Sequence, residues 1–247
     1  MTGTDWTPLR AALRACEDAG VTPRLWWRDD DAVAATDALD RLARMSAEVA
    51  LPVHLAIIPA GATEDLVHSC ADAGCVPVVH GWAHTDHSSR DVKKNEFLTP
   101  RADAEDDAAR GLARLRTLFG DALRPMFVPP WNRINDTVIA ALPAMGYTAL
   151  STYGPRATPH AADGLALINT HVDPIDWKGT RSLIDPNQLI AHAAQMLHDR
   201  ATGTADATEP FGLLTHHLVH DAAIWTFTKT FLTEMQQGGA TPWQMET

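Results

Sequence analysis

The chain has 247 residues, 45% of them hydrophobic and 21% charged, an ordinary soluble composition that excludes disorder over most of its length. Twenty Lys and Arg against 31 Asp and Glu give a net charge of −11, which argues against a nucleic-acid footprint and against an anionic membrane surface. No stretch approaches the roughly 18–20 apolar residues of a membrane span, and Met1 to Arg10 lacks the basic start and apolar run of a secretory signal, so a cytoplasmic location is expected. Cys16, Cys70 and Cys75 are an odd number without zinc-knuckle spacing and are read as structural or incidental.

Two kinds of segment alternate along the chain. Leu25-Trp26-Trp27 after Pro23 reads as a strand, and Ala38, Leu42, Met45 and Val49 follow at helical spacing. Val53 to Ile58 is the next strand. Thr63 opens a helix that Gly74 ends. Val76 to Val79 is a third strand, running into His80. Ala104, Ala108, Leu112 and Leu115 repeat the helical spacing up to Gly120. Met126 to Val128 is a strand stopped by Pro129-Pro130. Asn135 or Asp136 caps a helix reaching Met145, and Gly146 stops it. Short strands are expected near Thr148–Ser151 and Leu165–Asn169, then a helix from Ile184 to His198. A strand from Phe211 to Thr215 and a helix from Ala222 to Met235 complete the pattern. Residues 201–209 read as a surface loop, and the tail after Gly238 as frayed. Strand–helix alternation means a parallel sheet with helices outside it. About seven units favour a barrel in a single α/β domain over residues 1–247, its motif-bearing part about 24–236.

Twelve histidines are the unusual count, and six of them are His80, His84, His87, His216, His217 and His220. Polar clusters follow the strands directly: Arg28-Asp29-Asp30-Asp31, His80 to His87, Pro129 to Arg133, His171 to Trp177, and His216 to Asp221. In parallel α/β folds the C-terminal strand ends form the active face, so the clusters converge on one mouth. Two imidazoles four residues apart suit a metal ligand pair, and three adjacent carboxylates repel one another unless a cation or shared protons relieve them. One Asp with His80 and His84 makes a three-ligand site with open positions, and a second Asp can act as base. A histidine after the last strand suits a proton donor.

These clusters, in this order, resemble the NodB-type polysaccharide deacetylases of carbohydrate esterase family 4. The double Asp of that family is matched in Arg28-Asp29-Asp30-Asp31, and its His-x-x-x-His in His80-Gly81-Trp82-Ala83-His84. Its Asp-x-x-Asp-Trp is matched in Asp173-Pro174-Ile175-Asp176-Trp177, and its Leu-x-Leu-His in Leu213-Leu214-Thr215-His216 with Thr for the second Leu. Its Arg-x-Pro-Tyr run is the departure. Val128-Pro129-Pro130-Trp131 keeps the Pro and an aromatic residue, but Val128 stands where the family has Arg, with Arg28 or Arg133 as substitutes.

The resemblance implies a distorted (β/α)7 TIM-like barrel and hydrolysis of an N-acetyl group on a sugar or oligosaccharide. Asp31, His80 and His84 are then ligands of a divalent metal, with Zn²⁺ the expected ion. Asp30 is the base and His216 the acid. A register one residue earlier would put base and ligand on Asp29 and Asp30. Trp131, Asn132, Asp176 and Trp177 are the expected substrate contacts, with Asp176 orienting His216 and Trp82 either a further wall or a core residue. Rival readings are a non-sugar amide hydrolase on the same barrel, a non-haem iron oxygenase, and a carbohydrate-binding protein with a decayed site. His54 is expected in the core. His68, His160, His192 and His198 are expected away from the site, whereas His171 could reach the mouth. Lys93-Lys94-Asn95-Glu96-Phe97 reads as a solvated charge run in a loop overhanging the site.

Overall fold

The computed structural model describes residues 3–246. Strands β1 (Arg24–Ala32), β2 (Val53–Ile57), β3 (Val76–His80), β4 (Met126–Val128), β5 (Ala149–Leu150), β7 (Leu165–Leu167) and β8 (Phe211–Thr215) run parallel. β6 (His160–Ala162) is antiparallel to β7, and β9 (Thr241–Pro242) pairs with the start of β1. The order is β6-β7-β5-β4-β3-β2-β1-β8. Beyond β7 the chain stays extended and changes partner: Thr170 pairs with Tyr153 beside β5, and Val172 with Leu213 of β8. Two bonds fix this exchange, His171 N–H to the Gly212 carbonyl at 2.7 Å and Leu214 N–H to the Val172 carbonyl at 2.8 Å. Seven strand segments therefore surround one lumen.

Helices α1 (Thr7–Asp18), α2 (Asp37–Glu48), α3 (Glu64–Asp72), α4 (Ala104–Phe119), α5 (Asp136–Met145), α6 (Pro186–Ala201) and α7 (Ala222–Gln237) cover the sheet. Their starts follow local chemistry. Thr36, Asn135, Asp185 and Asp221 each accept a backbone N–H from the first turn of α2, α5, α6 and α7. Gly146, with φ 95°, stops α5.

Strand alternation splits the apolar residues into two cores. Trp26, Ala56, Val78, Met126, Val128, Ala149 and Ile168 form one, with Trp243 and Met245 packed against it. Leu25, Trp27, Leu55, Val79, Phe127, Leu150 and Leu213 belong to the other, shared with the helices. The first cluster fills the lumen and the second the layer under the helices. On β1 this places Arg28 and Asp30 inward, and Asp29 outward with Trp27.

The structure departs from the sequence reading at several points. β1 runs to Ala32, so the acidic run lies within a strand and not after one. Helix α1, which the sequence reading omitted, buries Leu9, Ala12, Leu13 and Cys16 and packs along α6. The tail after Gly238 is docked: Trp243 N–H donates to the Leu25 carbonyl at 2.7 Å, and its ring stacks on His54 at 5.6 Å. The 201–209 segment holds a buried Glu209 and is tied to Arg156 through Asp206.

Candidate metal centre and active site

β1 does not end on a regular pleat. Its pairing with β2 shifts register between Asp29 and Ala32, and Asp31 has φ 75°. A bulge of this kind re-aims a side chain. The result is that Asp31 joins the mouth beside the inward-facing Asp30, although strict alternation would turn it away.

His80 ends β3 on the lumen face. Its ring Nδ1 lies 2.9 Å from the Val128 carbonyl, which anchors the ring and turns Nε2 toward the mouth. That Nε2 is 3.1 Å from Asp31 Oδ1, and His84 Nε2 is 3.3 Å from the same oxygen. One donor atom from each of the three residues lies within 4.8 Å of the others. Two imidazoles and one carboxylate are a donor set that suits a divalent transition metal and leaves positions open. Burial alone would raise the Asp31 carboxyl, but the hydrogen bond and charge of His80, with His216 and His84, hold it far below the usual range. Burial and the neighbouring His80 push His84 down and favour its neutral, ligating form. Left-handed backbone recurs around this cluster, at Gly81 (φ 57°), His84 (φ 56°), Trp131 (φ 56°) and Asn132 (φ 58°). Such conformations cost of order 1–3 kcal/mol each in a non-glycine residue and persist where the surroundings over-determine them.

Asp30 is 3% exposed and is gripped by Arg28, with Nε to Oδ1 at 2.8 Å and Nη2 to Oδ2 at 3.0 Å. Arg28 also donates to Ser151 Oγ and Asn132 Oδ1, both at 2.7 Å. Val128 is buried in the lumen, so the guanidinium beside Asp30 comes from β1 and not from β4.

Across the mouth, Asp173 accepts the Trp177 indole N–H at 2.8 Å, and the Trp177 ring stands edge-on to His216 at 4.7 Å. Burial pushes the Asp173 carboxyl up, against the charge of His216. His216 Nδ1 is buried without a hydrogen-bond partner. Trp131 packs on His84 at 4.2 Å.

Several expected contacts lie elsewhere. Asp176 does not orient His216: its carboxylate accepts the backbone N–H groups of Gly179 and Thr180 and closes its own turn. Asn132 faces Arg28, so its amide oxygen supports Asp30's partner. Trp82 lies under the Arg110 guanidinium at 4.1 Å and packs against the helix-side core, so it is no wall of the mouth. His171 accepts from Gly212 N–H, faces Glu209 and stacks on Phe211, away from the mouth. His87 is exposed and stands apart from the cluster. Arg133 reaches the Lys94 carbonyl and not Asp30.

Two residues have places the sequence did not give them, although Asp29 was weighed there as an alternative base. Asp29, outside the barrel, bonds His217 Nδ1 through Oδ1 at 2.5 Å and Thr215 Oγ1 through Oδ2 at 2.5 Å. Burial opposes its charge, but His217 and Thr215 outweigh it and hold the carboxyl low. Continuing the alternation from Trp27 would have turned Asp29 outward. The other is Glu96, 1% exposed within the supposed charge run, where Asn95 and Phe97 are buried too.

No family model and no curated protein sequence matches the chain. Solved structures do. A Mycobacterium smegmatis protein assigned as a polysaccharide deacetylase has a TM-score of 0.60 at 16% identity, with 92% of this chain and 95% of that one covered. A peptidoglycan N-acetylglucosamine deacetylase gives 0.57 at 14%, covering 90% and 86%. A family 4 pseudoenzyme from Bacillus anthracis gives 0.53 at 13%, covering 90% and 63%. At these identities the likeness is one of fold. The chain has the fold of the NodB-type polysaccharide deacetylases of carbohydrate esterase family 4.

Proposed function

We propose that the chain is a metal-dependent deacetylase that hydrolyses an N-acetyl group on a sugar or polysaccharide and releases acetate. The observation that carries this reading is the Asp31–His80–His84 cluster at the C-terminal mouth of a barrel with the deacetylase fold. The donor set fits a divalent metal, Zn²⁺ foremost, because His80 keeps one ring nitrogen on Val128 and offers the other. When bound, such an ion polarises a carbonyl and lowers the pKa of water.

The chain's own residues do the rest. Asp30, held in one orientation by Arg28, takes the proton from the attacking water. His216, on the opposite side, hands a proton to the departing amine as the C–N bond breaks. Asp173 accepts the Trp177 indole N–H and so holds the ring that stands edge-on to His216. Trp131 and Trp177 flank the space between and give a sugar ring two apolar faces. Asp29 has no part in this chemistry, since it faces the helices.

One rival has an observation in its favour, the likeness to a pseudoenzyme: a chain that binds carbohydrate without turning it over. Against it, Asp30, Asp31, His80, His84 and His216 are all present, and the Arg28–Asp30 pair replaces the guanidinium absent at Val128. Metal analysis of the purified protein and of His80→Ala tests the reading. One divalent ion per chain, lost in the variant, is expected. Wild-type protein that takes up no divalent metal would sink it.

A further inference from the structure

The segment between the two histidines, Gly81-Trp82-Ala83, belongs to neither strand nor helix. Its backbone N–H groups must find acceptors elsewhere. Glu96 supplies them. Its side chain is buried, its Oε1 accepts Ala83 N–H at 2.8 Å, and its Oε2 accepts Trp82 N–H at 3.3 Å. Gly81 makes the approach possible: a Cβ there would stand 2.4 Å from Glu96 Oε2 and 2.6 Å from Pro130 Cδ. The same turn is held from its other sides. The Trp82 carbonyl accepts Ala60 N–H at 2.9 Å, Arg110 covers the Trp82 ring, and Gly111 lets α4 close on the Gly81 carbonyl. None of these groups belongs to the donor cluster.

We propose that Glu96 is a positioning residue of the metal centre. Its carboxylate folds the 81–84 turn so that His84 meets Asp31 and His80 before an ion arrives. The proposal rests on the metal-dependent reading above. Supporting groups behind a ligand are worth about 10–100-fold in metal affinity, because they remove the cost of ordering it.

The test compares Zn²⁺ dissociation constants of wild-type and Glu96→Gln protein by competition with a chromophoric chelator, at a temperature where both are folded. Gln keeps the shape but turns an –NH₂ toward a backbone N–H. The variant should bind Zn²⁺ about 10–100-fold more weakly. An unchanged constant would overturn the role of Glu96 and leave the metal reading intact, whereas wild-type protein without Zn²⁺ affinity would sink the metal reading itself. Hydrogen exchange on metal-free wild-type protein decides the point without a variant. The Trp82 and Ala83 amides should be protected before Zn²⁺ is added, and protection that arises only with Zn²⁺ would overturn the proposal.

Discussion

Arg28 and Asp30 stand two residues apart on β1, both face the lumen, and the guanidinium folds back on the carboxylate in a two-pronged pair of 2.8 and 3.0 Å. One strand thus delivers the proposed base and its partner, and Ser151, just after β5, and Asn132, in the turn after β4, fix the guanidinium. A lysine at position 28 would keep the charge and lose the fork. Arg28→Lys should lower kcat/KM for acetate release by about 10–100-fold, the worth of a charge-assisted hydrogen bond, with bound metal unchanged. Unaltered kcat/KM would show that Asp30 acts without the fork.

The three aspartates of the acidic run differ in placement: Asp29 faces outward, Asp30 inward, and Asp31 is re-aimed to the mouth by the bulge. Asp29→Asn should leave metal content at the wild-type level but break a buried pair with His217, at a cost of about 3–5 kcal/mol. For a chain of this size that is a fall in melting temperature of about 6–20 °C. Asp31→Asn should lose the metal and melt close to the metal-free wild type. Metal loss in Asp29→Asn would reassign the ligand.

Asp173 and Asp176 share one motif but not one environment. Asp173 meets Trp177 and feels His216, whereas Asp176 closes an exposed turn. Asp173→Asn should reduce kcat by about 10–100-fold, and Asp176→Asn should change it less than about twofold. Steady-state kinetics on the two variants decides between them, and the reverse ranking would contradict the placement.

His54 carries a pH dependence. It is fully buried, its Nε2 accepts Met245 N–H at 3.0 Å, and burial pushes its pKa down to about 4. Between about pH 6.5 and 4 the unfolded chain binds this proton and the folded chain does not, so this stability is whole above pH 6.5 and is lost as the pH falls. The loss is on the order of 3 kcal/mol. Urea unfolding at pH 7 and pH 4.5 should show a smaller drop for His54→Gln than for wild type. Equal drops would mean that His54 titrates normally.

What the sequence displayed depended on whether a feature was local. β4 and β8 match their apolar runs residue for residue, and α5 obeys its Asn135 cap and Gly146 stop. The motif order carried the candidate site because each cluster lies at or near the C-terminal end of its strand. What was hidden depends on distant partners. Trp243 and Met245 are scattered apolar residues in a short tail until the lumen receives them. Residues 170–172 join the barrel only because Tyr153 and β8 are there to pair with them. Glu96 looks like part of a solvated charge run, and only the bare N–H groups of the 81–84 turn explain its burial. Asp29 differs: the alternation that turns it outward was present in the strand, and ending that strand at Trp27 concealed it.

The most direct measurement is acetate release from a panel of N-acetylated amino sugars and their oligomers, by chelator-treated protein and by the same protein restored with Zn²⁺. The account predicts no release from the stripped protein, release after restoration, and none from restored Asp30→Asn that still holds the ion. Release that persists without metal, or a restored wild-type protein inert toward every N-acetylated sugar, would contradict it.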